Sequence, residues 1–368
     1  MAHIKDFVKR EPTLCVAFIA ALFSCILVPI DSAYIDYIDF RTLALLYSLM
    51  VVVSGLRRAG VFGYLAHRLC QKADSARKLG IILVLLSFFS SMLVTNDVAL
   101  LTFVPFAVVV LGLAHQEKEL VWVVVLQTVA ANLGSMLTPV GNPQNLFLFS
   151  YYNFSMVDFI KATAPIWLIS LVLVLVLCIR LPHAHVDIFL GEEPILHTKK
   201  LVLYIALFCL CMLEVLHLIA WEVMLLVLML VLLVFDRRRL KHADFLLLFT
   251  FVCFFIFAGN LARLEPVKNA LSALLNGREL FCGIGASQVI SNVPAALLLS
   301  GFTENGKALL LGVNIGGLGT PVASLASLIS MKLYSHSENA SLGAFMKCFL
   351  AVNFALLIVL TLAAILLI

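Results

Sequence analysis

The chain is a series of apolar runs long enough to cross a bilayer, and four further apolar stretches are interrupted near their middles by Asn, Gly and Pro. In hydrocarbon every backbone N–H and C=O needs a partner, so lipid-exposed chain must be helical and a break persists only where protein, water or a ligand satisfies it. The uninterrupted runs fall near 13–30, 40–56, 157–179, 200–218, 221–235, 244–262 and 342–367, close to the roughly 20 residues a span requires. The composition is 63% apolar and 12% charged, whereas soluble domains are about 25% charged. An all-α polytopic membrane protein is expected, forming one transmembrane domain over 1–368 with no soluble domain between its runs. The first run, Leu14 to Ile30, lacks a small-residue cleavage site and leads straight into further spans, so it is expected as a retained helix.

The breaks come in pairs. Residues 79–93 and 98–113 flank Thr95, Asn96 and Asp97, while 280–290 and 294–302 flank Ser291, Asn292 and Val293. The pattern Asn-x-Gly-x-x-x-Thr-Pro-Val occurs twice: Asn132, Gly134, Thr138, Pro139, Val140, and Asn314, Gly316, Thr320, Pro321, Val322. Discontinuous segments in corresponding positions of two halves point to the midplane binding site of a transporter. Gly134, Gly141, Gly316, Gly317 and Gly319 permit unusual dihedrals, and Pro139, Pro143 and Pro321 remove donors and stop helices. Freed carbonyls can coordinate a cation, and half-helix amino termini can face an anion.

The similarity extends outward. Ser54-Gly55-Leu56-Arg57-Arg58 ends one span as Ala258-Gly259-Asn260-Leu261-Ala262-Arg263 ends another. Each is followed by a short amphipathic stretch, an Asn-tipped hairpin, a broken helix and a final span. Repeats are therefore expected at 40–179 and 244–368, linked by scaffold helices within 180–243, with one helix ahead of the first. If both hairpins are re-entrant, five crossings separate the two starts, and an odd number inverts the second repeat. In this layout 19 of the 25 Lys and Arg fall on one face, which the positive-inside rule makes cytoplasmic. The amino terminus is then cytoplasmic and the carboxyl terminus outside, in a multi-pass plasma-membrane protein (the inner membrane of a Gram-negative cell).

Several classes are disfavoured. The net charge of +4 reports orientation, and no basic patch with interleaved aromatics suggests nucleic acid. The nine Cys show neither CxxC nor Cys-His metal spacing. There is no Walker A sequence. No nucleophile and base occur at catalytic spacing, so no enzyme is expected, and sodium is the one ion considered in place of a cofactor.

Ser91-x-x-x-Thr95-Asn96 and Ser287-x-x-x-Ser291-Asn292 offer hydroxyl and amide oxygens which, with carbonyls of the facing broken helix, form an all-oxygen shell for a hard monovalent cation. The alternative is that each Asn simply makes a turn. Asp97 is the one carboxylate at an intramembrane break, a candidate for protonation or cation binding; the alternative is a helix cap. Thr138, Asn142, Gln144 and Asn145 are expected to face Thr320 and Ser324, and Asn132, Ser135, Thr138, Asn142, Asn314, Thr320 and Ser324 form the expected substrate-binding set. Part of this polarity can instead satisfy freed backbone. Glu214, Glu222 and His217 are expected at the interface, and Arg180, Arg237, Arg238 and Arg239 as topology signals.

At these residues the chain resembles the ion transporter superfamily of divalent anion:sodium symporters, citrate-type permeases and arsenite efflux permeases. In the dicarboxylate symporters both tips read Ser-Asn-Thr, the Asn and upstream Ser binding sodium and the Thr holding substrate carboxylates. The resemblance implies cation sites at Ser91, Thr95 and Asn96 and at Ser287, Ser291 and Asn292. Thr95-Asn96-Asp97 and Ser291-Asn292-Val293 replace both tips, so those threonines are gone and an acid occupies one place, which weakens a dicarboxylate substrate. The Asn96-Asp97 tip, Asn292-Val293-Pro294 and the run Thr320 to Ala326 are more similar to the arsenite-permease branch. The implied function is a secondary active transporter of the anion-permease type, moving a small inorganic or organic anion with a sodium or proton gradient by alternating access. Relatives commonly form homodimers through scaffold helices. The rivals are a cation/proton antiporter using Asp97, an oxyacid efflux permease, and a non-transporting membrane scaffold indifferent to alanine at Asn96 and Asn292.

Overall fold

The computed structural model describes residues 11–186, 191–337 and 340–367, and the regular structure among them is helical. The basic residues within 1–10, counted above, lie outside the described residues. From the amino end the helices are α1 (Pro12–Leu27), the single turn α2 (Ala33–Asp36), α3 (Phe40–Arg58), α4 (Val61–Cys70), α5 (Ala76–Val94), α6 (Asn96–Leu113), α7 (Leu120–Gly134), α8 (Pro143–Tyr151) and α9 (Met156–Cys178). There follow α10 (Thr198–Val215), α11 (Trp221–Phe235), α12 (Phe245–Arg263), α13 (Glu265–Leu275), α14 (Glu279–Ile290), α15 (Asn292–Ser300), α16 (Gly306–Ile315), α17 (Leu325–Ser335) and α18 (Leu342–Leu367).

The helix limits follow local chemistry. Asp39, Ser75, Ser155 and Asp244 cap α3, α5, α9 and α12 by accepting a backbone N–H from the first turn. α1 stops short of the expected residue 30 because Val28 precedes Pro29 and takes extended dihedrals. α10 ends before 218 because His217 turns to a positive φ of 59° and the Leu218 N–H closes back on the Leu213 carbonyl.

Among the described residues, seven segments are long and apolar enough to cross a membrane: α3, α5, α6, Glu117–Leu137 containing α7, α9, α12 and α18. Burial sorts them. The span containing α7 is 83% buried, whereas α9 and α18 are 22% and 28% buried, so α7 is central and the other two present apolar side chains to lipid. α1 lies along α12, and α10 lies along α3. Both α3 and α12 admit a tyrosine ring at a glycine: Tyr204 against Gly55 and Tyr37 against Gly259, each ring sitting where a β-carbon would stand. One apolar cluster joins α3, α10, α11 and α12 to α8 and α15, and a second joins α5, α6, α7, α9, α17 and α18.

The Asn-centred elements are helix pairs. α5 and α6 have 19 and 18 residues with Thr95 alone between them, longer than the arms expected. Each is long enough to cross, and the outer ends of the pair lie together. The Ala76 N–H donates to the Ala184 carbonyl at 2.9 Å, and just beyond α6 the Trp122 indole donates to the Leu177 carbonyl at 3.2 Å. α14 and α15 are shorter, 12 and 9 residues, and their outer ends meet where the Thr303 hydroxyl donates to Glu279 at 3.1 Å.

Candidate functional site

The two tips share one backbone geometry. Thr95 has φ 67° and ψ 148°, and Ser291 has φ 73° and ψ 155°. Neither is glycine, and such conformations cost about 1–3 kcal/mol unless the surroundings hold them. Each is followed by an Asn that opens the next helix, 4% exposed in both cases. The Asn96 amide donates to the Asn132 side-chain carbonyl at 3.0 Å. Ser91 and Ser287 are buried, their hydroxyls bonded to the Phe88 and Gly283 carbonyls of the preceding turn.

Each broken helix docks on a tip through the same contacts. α7 ends at Gly134, and two 3-10 turns, Ser135–Leu137 and Pro139–Gly141, lead to Asn142, which caps α8 by accepting the Asn145 N–H. After α16 the chain unwinds until the turn Pro321–Ala323, and Ser324 precedes α17. The Thr138 hydroxyl donates to the Met92 carbonyl, and the Thr320 hydroxyl to the Gln288 carbonyl at 3.0 Å. Met92 and Gln288 immediately follow Ser91 and Ser287. A β-carbon on Gly134 would lie 2.0 Å from the Phe88 oxygen, and one on Gly316 2.8 Å from the Ser287 hydroxyl, so these approaches need glycine.

The two broken helices also grip one another. Asn132 accepts from the Ser324 hydroxyl at 3.0 Å, and Asn314 accepts from the Asn142 amide at 3.2 Å. Asn132 and Asn314, and likewise Asn142 and Ser324, are 182 positions apart. The correspondence fails one turn on. The Asn314 amide donates to Asn145 at 2.6 Å, but Ser327, 182 positions after Asn145, is shorter; its hydroxyl and the Asn132 amide nitrogen are both buried without a partner.

Several expectations are corrected by these bonds. Thr138 and Thr320 do not face each other, because each hydroxyl is held by the hairpin beside it. Many freed carbonyls are already satisfied. The Asn145 amide donates to Ser135, Met136 and Thr138 at 3.2–3.3 Å, and the Gln288 amide donates to Gly316 and Leu318 at 2.8 and 3.0 Å. Gln288 was not among the residues singled out; the signal was its place directly after Ser287, where the first tip has Met92. Asp97 is not a cap, since no backbone N–H donates to it, and one carboxylate oxygen is buried without a partner. Glu214 is not merely interfacial: it is 1% exposed and paired to Arg41 at 2.6 Å. Arg239 is 5% exposed, bonded to Ser54 at 3.3 Å and close to Asp236, a structural role beyond topology.

Two cavities reach the tips from one side. One, of about 290 Å³, runs from Thr95, Asp97, Val140 and Asn142 to Arg57, His242 and Asp244. The other, of about 890 Å³, runs from Ser291, Val293 and Pro294 to Glu11 and Lys332. Asp244, Leu247, Leu325 and Ile329 line both. Elsewhere the Tyr152 hydroxyl joins the end of α8 to the Ser300 and Thr303 carbonyls at 3.2 and 3.0 Å, and Arg41 bonds Glu214 and His217 at 2.6 and 2.8 Å.

The chain is similar to several known proteins. An uncharacterized transporter of Methanocaldococcus jannaschii is 31% identical over 313 residues, covering 84% of this chain and 84% of its own length. An inner membrane protein of Escherichia coli is 31% identical over 305 residues, 80% of each chain. A silicon efflux transporter of Oryza sativa is 34% identical over 137 residues, 37% of this chain and 27% of that one. The citrate transporter family profile matches residues 8–305. A multi-pass helical membrane chain with two polar breaks bonded to each other, matched over most of its length by that profile, belongs to the citrate transporter family.

Proposed function

We propose that this membrane transporter works by secondary active transport, with two inverted repeats, 40–179 and 244–368, supplying one central site from opposite sides. The observation that carries the reading is the repeated lock: a tip residue with positive φ, a following buried Asn, and a broken helix whose Thr binds the hairpin backbone and whose Asn reaches the other repeat. Such a unit moves as one body, because its parts are cross-bonded while its boundary to α3 and α12 is mainly apolar. Ser91, Thr95 and Asn96, and Ser287, Ser291 and Asn292, are the proposed cation-coupling groups. With the basic face cytoplasmic, both cavities open inward.

The solute is proposed to be a small oxyacid, neutral or weakly anionic. The inner end of the smaller cavity presents Thr95, Asp97 and Asn142, and its one Arg, Arg57, donates to the Leu101 carbonyl at 3.3 Å. A fully charged dicarboxylate would meet an acid there rather than a cation. The silicon efflux relative is consistent with that chemistry. Proteoliposomes loaded with silicic acid, arsenite or citrate test the reading: solute flux should follow an imposed sodium or proton gradient and vanish in both Asn96→Ala and Asn292→Ala. Flux that ignores both gradients refutes it.

One observation favours a second reading. Asp97, with an unpartnered oxygen, lines a cavity also lined by Asp244, an arrangement suited to exchange of a cation for protons. Proton release on addition of a cation alone, abolished by Asp97→Asn, would select the antiporter.

A further inference from the structure

A groove of about 750 Å³ lies on the outer surface between α7, α9 and α18, away from the two tips. Lys118, Arg180 and Lys347 line it, and none forms an ion pair among the described residues. One acid, Glu119, lines it with them, leaving a surplus of two positive charges. The Arg180 guanidinium lies 4.5 Å over the Trp122 ring, whose indole N–H is fixed on the Leu177 carbonyl at 3.2 Å. The mouth is thus built, with one cation stacked on an aromatic ring of fixed orientation.

The rest of the groove is apolar and points along the helix. Lys347, Ala351, Ala355 and Val359 recur every four residues on α18 and form one stripe; the last three are exposed groove lining. Twelve residues of α-helix rise about 18 Å, over half of a hydrocarbon core of roughly 30 Å. The two alanines, with the smallest side chains of the stripe, leave the groove open beneath three cations at its head.

We propose that this groove binds one phospholipid with an anionic headgroup. The phosphate sits among Lys118, Arg180 and Lys347, and one acyl chain lies along Ala351 to Val359. Charge selects the lipid. Basic pockets between transmembrane helices recognise anionic headgroups, and the surplus of two positive charges disfavours the ammonium of a zwitterionic lipid. The free cations and the continuous apolar channel belong to one ligand only if that ligand is amphipathic.

Native mass spectrometry of the full chain from mild detergent, with phosphatidylglycerol or phosphatidylcholine of equal chain length, tests the proposal. The chain should retain a phosphatidylglycerol adduct selectively. K118Q/R180Q/K347Q should lose that selectivity on the order of a hundredfold, since each basic residue near an anionic surface contributes about fivefold. Ala355→Phe should weaken retention with all three charges intact, and inorganic phosphate should not compete. Circular dichroism checks that the variants remain helical. Equal retention of both lipids, preserved selectivity in the triple variant, full competition by inorganic phosphate, or a change of oligomeric state in Ala355→Phe that marks the groove as a protein contact would each overturn it.

Discussion

Replacing Gly134 with alanine isolates the contact on which the first half of the site rests. A β-carbon there would stand 2.0 Å from the Phe88 carbonyl oxygen and 2.7 Å from the Ser91 hydroxyl. Non-bonded atoms reach their optimum at roughly 3.5 Å, so α5 and α7 must part by on the order of 1 Å. The nearest obstruction is helix backbone, so no rotamer change relieves it. Overpacking of this kind costs about 1–3 kcal/mol, and the better helix propensity of alanine offsets about 1 kcal/mol at most. The same displacement breaks the 3.0 Å bond between Asn96 and Asn132 and releases the tip. Gly134→Ala should therefore melt a few degrees below the parent and lose solute counterflow in proteoliposomes. Gly112→Ala is the control: nothing lies within 4 Å of its β-carbon, so the same chemical change should be neutral or slightly stabilising. Gly134→Ala that melts and transports like Gly112→Ala would refute the close-packed tip.

Three other measurements bear on the same architecture. Asn314→Ala should destabilise more than Asn132→Ala, by about 1 kcal/mol, because Asn314 bonds Asn142, Asn145 and the Leu310 carbonyl whereas Asn132 bonds Asn96 and Ser324; paired thermal melts decide it. Asp97→Asn should preserve helical content while changing the pH dependence of flux, since its side chain holds no backbone group; loss of folding would show a structural role instead. In the loop after α1, Asp31 is hydrogen-bonded to Arg263 at 2.8 Å, which holds its carboxyl below the usual carboxylate range. Its folded value is depressed, so the stabilisation is present above the unfolded value and is lost as pH falls through the folded one. The melting difference between the parent and Asp31→Asn should accordingly shrink as the buffer is acidified below the carboxylate range, and a constant difference would exclude the linkage.

What was legible in the sequence was whatever the bilayer itself dictates. Hydrocarbon thickness sets the length of a span and forbids unpaired backbone, so the runs at 40–56, 157–179, 244–262 and 342–367 matched helices to within two residues, and the Asn and Gly breaks were visible as the places where that rule is relaxed. Local punctuation was half-legible: Pro29, which ended α1 early, stood in the sequence, whereas the positive-φ turn at His217 that ended α10 early has no Gly, Pro or Asn to mark it.

The sequence alone therefore determined that this is a helical membrane chain with two matched pairs of polar breaks. The tertiary structure alone decided what those breaks bind. Asn132 meets Ser324 and Asn314 meets Asn142 across more than 170 residues, Thr138 and Thr320 turn to their own hairpins, Gln288 closes the second loop, and Glu214 is buried against Arg41. Periodicity and hydropathy report only whether a residue prefers lipid, protein or water. Which of several chemically equivalent amides and hydroxyls pair within the protein depends on distances fixed only once distant helices pack.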